Sequence, residues 1–252
     1  MNDTLGIAHF LAHADFLTRG ILILMLLASL GTWHLITAKT LAFRRLHRGA
    51  REFLGYFDQV ATLEGLGHGA PPAGLEGPFA RVLQHGLAAV ETLQAAPTGR
   101  GALNAGATQE EFLIRALKRG LDQERAGLAQ GQNFLATVAS TAPFVGLFGT
   151  VWGIYHALLA IGASGQGSLD QVAGPVGEAL IMTAVGLGVA IPASVAYNHF
   201  VQRARGFQGD LTGFAHDVFC LLVTGVKPRH PAGAHRETQR PDRALLNPAS
   251  AD

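Results

Sequence analysis

The chain has 252 residues, 48% of them hydrophobic and only 15% charged, and its mean hydropathy of +0.25 is too high for an ordinary soluble domain. A formal net charge of +1 excludes a nucleic-acid binder, which would carry a concentrated basic face. The lone Cys220 and the scattered histidines offer neither an internal disulfide nor a metal-ligand set, so no metal and no cofactor is expected.

In chain order, residues 1–18 contain no lysine or arginine, whereas a cleavable signal peptide needs positive charge at that side. From Gly20 to Ala38 the run GILILMLLASLGTWHLITA carries no formal charge, and about 20 apolar residues suffice to cross a bilayer core. We read 20–38 as the first span. Lys39, Arg44, Arg45, Arg48 and Arg51 follow it, so the positive-inside rule puts residues 1–19 outside and 39–130 in the cytoplasm.

The cytoplasmic stretch reads as helical. Phe43, Leu46, Ala50, Phe53, Leu54, Phe57 and Val60 recur at three- and four-residue steps, the period of an amphipathic helix that continues the first span. Gly65–Gly77, with Pro71 and Pro72, interrupts it, and a shorter helix resumes over Phe79, Val82, Leu83, Leu87 and Val90. After a loop at Pro97–Gly106, Thr108 and Glu111 form a capping box, in which each side chain satisfies a free backbone N–H. The helix that starts there is expected to run unbroken into the next span.

Residues 131–163 make the second span and 172–199 the third, joined by a turn at 164–171 that lacks lysine and arginine. Arg203 and Arg205 follow the third span, which returns the chain to the cytoplasm. Phe200, Ala204, Phe207, Leu211, Phe214, Val218 and Leu221 then repeat at a mean step of 3.5, so a cytoplasmic helix is expected over 200–226, covered mainly by other parts of the same chain. Prolines and scattered charges in 227–252 suggest a disordered tail. The fold expected is thus an all-α membrane protein with three transmembrane helices and long cytoplasmic helical extensions.

Small residues mark the spans. Gly146, Gly149 and Gly153 in the second, with Ala179, Thr183, Gly186 and Ala190 in the third, allow helix backbones to approach closely. Pro143 and Pro192 each remove a backbone donor and should bend their helices. Glu178 is the one formal charge between Val172 and Tyr197. Such a residue usually faces a bundle interior or a water-filled path, although a position this close to the end of a span also suits a hydrated interfacial carboxylate. For Thr150 and Thr183 the plain alternative is a hydroxyl bonded to a carbonyl one turn back. His34 and His156 are read as packing or interfacial residues.

Residues 140–153, STAPFVGLFGTVWG, and 174–198, GPVGEALIMTAVGLGVAIPASVAYN, closely resemble the paired signatures of the ExbB/TolQ motor proteins. The resemblance implies a bacterial inner-membrane subunit, N-terminus periplasmic and C-terminus cytoplasmic. It further implies a homopentamer that encloses the single spans of an ExbD/TolR-type partner, and a TonB/TolA-type protein that receives the work of proton flow. By motif position it assigns Glu178, Thr150 and Thr183 to the polar lining of the proton pathway. The family usually has proline then glycine before that glutamate, whereas this chain has Gly174 then Pro175.

The reading is therefore a non-enzymatic proton-channel motor subunit, with an ExbB role in TonB-dependent uptake ahead of a TolQ role in envelope maintenance. A membrane scaffold that conducts no protons is the rival from another class. The string GASG at 162–165 lies in a polar turn, and GLGHG at 65–69 follows no expected strand. Neither an intramembrane protease nor a nucleotide site is thereby supported.

Overall fold

A computed structural model describes residues 16–59, 76–95, 109–164 and 169–228, with the side chains of 160, 164, 169–173, 175 and 178 outside the described set. These residues form five α-helices: α1 (Phe16–Gln59), α2 (Pro78–Ala95), α3 (Gln109–Ala129), α4 (Gln132–Ser164) and α5 (Leu169–Thr224). Three stretches are long and apolar enough to cross a membrane, namely Phe16–Gln59, Gln109–Ala163 and Ala179–Thr224. Only 17% of the most apolar window of the first is buried within the chain, so its outward face needs lipid or other protein as solvent.

Both long amphipathic extensions form as continuous helices. α1 runs unbroken past Lys39 to Gln59, and α5 continues through Pro192 to Thr224. Gly225, at φ 74°, ends α5 with its N–H bonded to the Leu221 carbonyl at 2.9 Å, the left-handed stop that glycine makes without a Cβ clash. Pro143 lies inside α4, which likewise continues around it.

The helix expected to run unbroken into the second span is in fact two. α3 stops at Ala129, and Gly131 takes φ 74° before α4 starts. The physical cause lies on α1. Lys39 Nζ donates to the Leu128 carbonyl at 3.0 Å, the Gln132 side chain donates to the same oxygen at 3.3 Å, and Leu35 fills the space beside Gly131. The carbonyl that a continuing helix would have used is thereby satisfied from outside. Thr108, the expected cap of α3, lies outside the described residues.

The chain divides into two compact units. The first comprises 1–49 and 122–210. Its core gathers Ile21 and Met25 of α1, Val138 and Ala142 of α4, and Met182, Val189, Ala190 and Ala193 of α5. Phe43 stacks on Phe200 and His47 lies against Phe207, at ring distances of 6.0 and 5.7 Å, so α1 and α5 run in the same direction. Gly146 meets Gly186 and Gly153 meets Ala179, so α4 runs against α5. Three antiparallel and parallel neighbours of this kind are what a chain produces by crossing a slab three times.

The second unit comprises 50–121 and 211–252. There Phe53, Phe57 and Phe79 all pack on Phe214, at centroid distances of 5.7, 4.8 and 5.2 Å, and Val82, Leu83, Leu117, Val218 and Leu221 complete the core. Gly86 sits where a Cβ would stand 2.9 Å from Leu222 and 3.1 Å from Leu117. The seven-residue stripe from Phe200 to Leu221 is buried throughout, as its periodicity demands. Lys227, expected at the head of the tail, is instead held by an ion pair to Asp58 at 2.5 Å and lies over the Phe57 ring. Residues 229–252 lie outside the described residues.

Candidate functional site

The small residues singled out in α4 and α5 meet one another. A Cβ added to Gly146 would stand 2.8 Å from the Met182 carbonyl oxygen, and one added to Gly186 would stand 2.7 Å from that of Ala142. Gly149 abuts the Met182 side chain and Gly153 the Ala179 methyl. With no side chain between them, the two backbones lie in direct contact at Gly146 and Gly186.

This close approach brings two hydroxyls together. Thr183 Oγ1 donates to Thr150 Oγ1 at 3.4 Å, and Thr150 Oγ1 in turn donates to the Leu147 carbonyl at 2.7 Å. Thr150 is buried and Thr183 partly exposed. The carbonyl bond is the ordinary one-turn-back arrangement. The contact between the two helices is an addition that sequence spacing could not show. The two hydroxyls thus form a short hydrogen-bonded chain that ends on a backbone carbonyl.

Glu178 stands apart from that pair. It lies on α5 beside Ala179, which faces Gly153, and five residues of helix separate it from Thr183 by roughly 7.5 Å of rise and about 140° of rotation. Its side chain lies outside the described residues.

Other features went unmarked in the sequence. Met182, 1% exposed, fills the junction of all three spans; methionine's flexible thioether suits an irregular gap between glycines. Thr32 is buried in α1 and bonded to the Ala28 carbonyl at 2.8 Å. Trp152 Nε1 is buried without a hydrogen-bond partner. His156, beside it at 4.4 Å between ring centroids, uses Nδ1 on the Trp152 carbonyl at 3.1 Å, so the imidazole packs on the helix that carries it. Among the described residues no group of three or more His, Cys, Asp or Glu could hold a metal.

The family model for the MotA/TolQ/ExbB proton channel family matches residues 74–211, a stretch that includes the glycine interface, the threonine pair and Glu178. The chain belongs to this family. Biopolymer transport protein ExbB of Neisseria meningitidis serogroup A is 35% identical over 211 residues, covering 81% of this chain and 91% of that protein. ExbB of Xanthomonas campestris pv. campestris strain B100 is 46% identical over 152 residues, 60% of each chain. The chain thus spans about three fifths of the length of that relative. Tol-Pal system protein TolQ of Haemophilus influenzae is 43% identical over 109 residues, covering 43% of this chain and 48% of that protein. With three apolar helices and this membership, the chain is a membrane protein.

Within the family, the α4–α5 interface is the part whose construction this chain explains from its own residues. Glycines set the helix separation, and that separation sets the hydroxyl contact.

Proposed function

We propose that this chain is the proton-channel subunit of an inner-membrane motor that uses the proton-motive force to energise a TonB-type protein for outer-membrane nutrient uptake. It acts as a transport component and not as an enzyme. The observation that carries the reading is the Thr183–Thr150 hydroxyl contact, formed at a glycine-lined seam between two apolar helices in a chain of the proton channel family. Each proton that crosses releases about 2.3 kcal/mol per 100 mV, so useful work requires a path with polar stations and no continuous water.

In this reading Glu178 takes up protons at the α4–α5 turn, which lies on the periplasmic side with the N-terminus, and the threonine pair lies on the way inward. An ExbD/TolR-type single-span partner supplies the acidic group that carries the proton further, and several copies of this chain, five by family resemblance, enclose it. The outward apolar residues Phe144, Phe148, Val151 and Tyr155 of α4 then meet neighbouring copies or the lipid bilayer. The basic residues after α1's apolar run support a cytoplasmic place for residues 39–130 and for the C-terminus in this reading.

A TolQ-type role in envelope maintenance is the second reading, favoured by the 43% identity to a TolQ protein over 109 residues. Gentle extraction followed by mass spectrometry of co-purifying chains separates the two. An ExbD/TonB set supports the first and a TolR/TolA set the second, while neither set would leave a non-conducting scaffold. Liposome proton flux, measured with and without the co-purified partner, then tests conduction directly.

A further inference from the structure

A basic cluster beside the α1–α5 seam has no role in the reading above. Arg44 and Arg48 on α1, and Arg203 and Arg205 on α5, are all exposed, and none of the four makes an ion pair or hydrogen bond among the described residues. The two ring contacts fix their relative placement. Because Phe43 lies beside Phe200 and His47 beside Phe207, Arg203 falls at the level of Arg44, with Arg48 about 6 Å further along the same axis.

Helix rotation decides which of them share a side. With roughly 100° per residue and both helices running the same way, Arg44, Arg48 and Arg203 turn to one side of the seam, whereas Arg205 turns away to the other. Leu35 and Lys39, which hold the α3–α4 joint, point to the opposite side, so α3 and α4 leave the arginine side open. Of the nearby carboxylates, Asp210 has a contact of its own and Glu52 forms no ion pair with Arg48.

Depth completes the site. Arg44 lies six residues past Ala38, the end of the first span, and Arg203 four past His199, the end of the third. Six and four helical residues rise about 9 and 6 Å, which carries both guanidinium groups from the edge of the hydrocarbon into the headgroup layer. Three guanidinium groups within about one helical turn along the axis, at headgroup depth and open to one side, offer the donors that a phosphate needs. Arginine's planar fork binds two phosphate oxygens at once.

We propose that Arg44, Arg48 and Arg203 form a binding site for the phosphate of an anionic phospholipid, with the acyl chains lying along the apolar α1 face that carries Leu26, Leu30 and Trp33, all exposed. The site selects anionic over zwitterionic lipid, because a choline headgroup would bring a cation to three cations. It does not depend on proton conduction, so it stands or falls separately from the proposed function.

The test is native mass spectrometry of the purified full-length protein, titrated with phosphatidylglycerol or with phosphatidylcholine of the same acyl chains. Wild type is expected to retain phosphatidylglycerol with roughly tenfold preference, and the Arg44→Gln/Arg48→Gln/Arg203→Gln variant to lose nearly all of it. Arg205→Gln should keep the preference. Because removing three charges near a span can disturb insertion, the Arg44→Lys/Arg48→Lys/Arg203→Lys variant is measured as well. It retains the charge, loses the fork and should show roughly threefold preference. Undiminished preference in the glutamine variant overturns the site, as does an equal loss in Arg205→Gln, which would indicate only diffuse attraction. Equal competition by glycerol phosphate without acyl chains would make the ligand a soluble phosphate and overturn the lipid assignment.

Discussion

Gly146 and Gly186 lie so close that a methyl group on either would collide with a backbone carbonyl oxygen of the opposite helix, at 2.8 and 2.7 Å. A carbonyl in a helix cannot rotate aside, so α4 and α5 would have to separate. Gly186→Ala and Gly146→Ala should therefore destabilise the folded protein in detergent by about 1–3 kcal/mol and weaken the threonine contact. Gly149→Ala meets the movable Met182 Cε at 2.8 Å but also its fixed Cβ at 3.1 Å, so it should cost about 1 kcal/mol, less than the two positions that face a carbonyl. Gly188→Ala, with nothing within 4 Å, is the control and should be neutral or slightly stabilising. Thermal or denaturant unfolding of the four variants measures the order, and equal effects at all four positions would contradict the packing described.

The hydroxyl pair makes a separate prediction. Valine at Thr150 or Thr183 keeps the shape and removes the oxygen, and interhelical hydrogen bonds in membranes contribute only about 0.6 kcal/mol on average. Thr150→Val and Thr183→Val should accordingly fold and assemble with little loss of stability, yet impair proton-coupled activity at least tenfold, a change of about 1.4 kcal/mol in the barrier. Serine at either site should retain most activity. Normal activity in both valine variants would reduce the contact to packing.

Glu178 is tested by charge and length together. Glu178→Gln and Glu178→Ala should abolish energy transduction while insertion and oligomerisation persist on native gels, and Glu178→Asp should retain part of it. Full activity in the glutamine variant would show that ionisation at this position is dispensable, leaving an interfacial residue.

At the α3–α4 joint, a side chain at Gly131 would meet Leu35 at 3.0 Å and adopt a left-handed backbone, a conformation that costs roughly 1–2 kcal/mol without glycine. Gly131→Ala should lower stability by that amount or more. Lys39→Met should cost about 1 kcal/mol, because the Gln132 side chain still caps the Leu128 carbonyl at 3.3 Å. Adding Gln132→Ala to Lys39→Met leaves that carbonyl without either donor, and a loss larger than the sum of the two single variants is expected in unfolding measurements.

The sequence by itself determined the three apolar runs, the amphipathic extensions of α1 and α5, and the small residues between α4 and α5. Each is a local property. The number of apolar residues that reach across a bilayer, the period of a buried stripe and the absence of a Cβ are all written in consecutive residues, which is why the stripe from Phe200 to Leu221 is buried at every position. Tertiary structure decided what depends on two helices at once. The pairing of Thr183 with Thr150 follows from the register between α4 and α5, and no spacing within either helix specifies that register. The break at Gly131 follows from Lys39 reaching a carbonyl 89 positions away; a lone glycine in a helical pattern costs only about 1 kcal/mol and does not announce a stop. The gathering of Arg44, Arg48 and Arg203 likewise required the parallel stacking of Phe43 on Phe200, because charge in a sequence has a position along the chain but acquires a side only when helices pack.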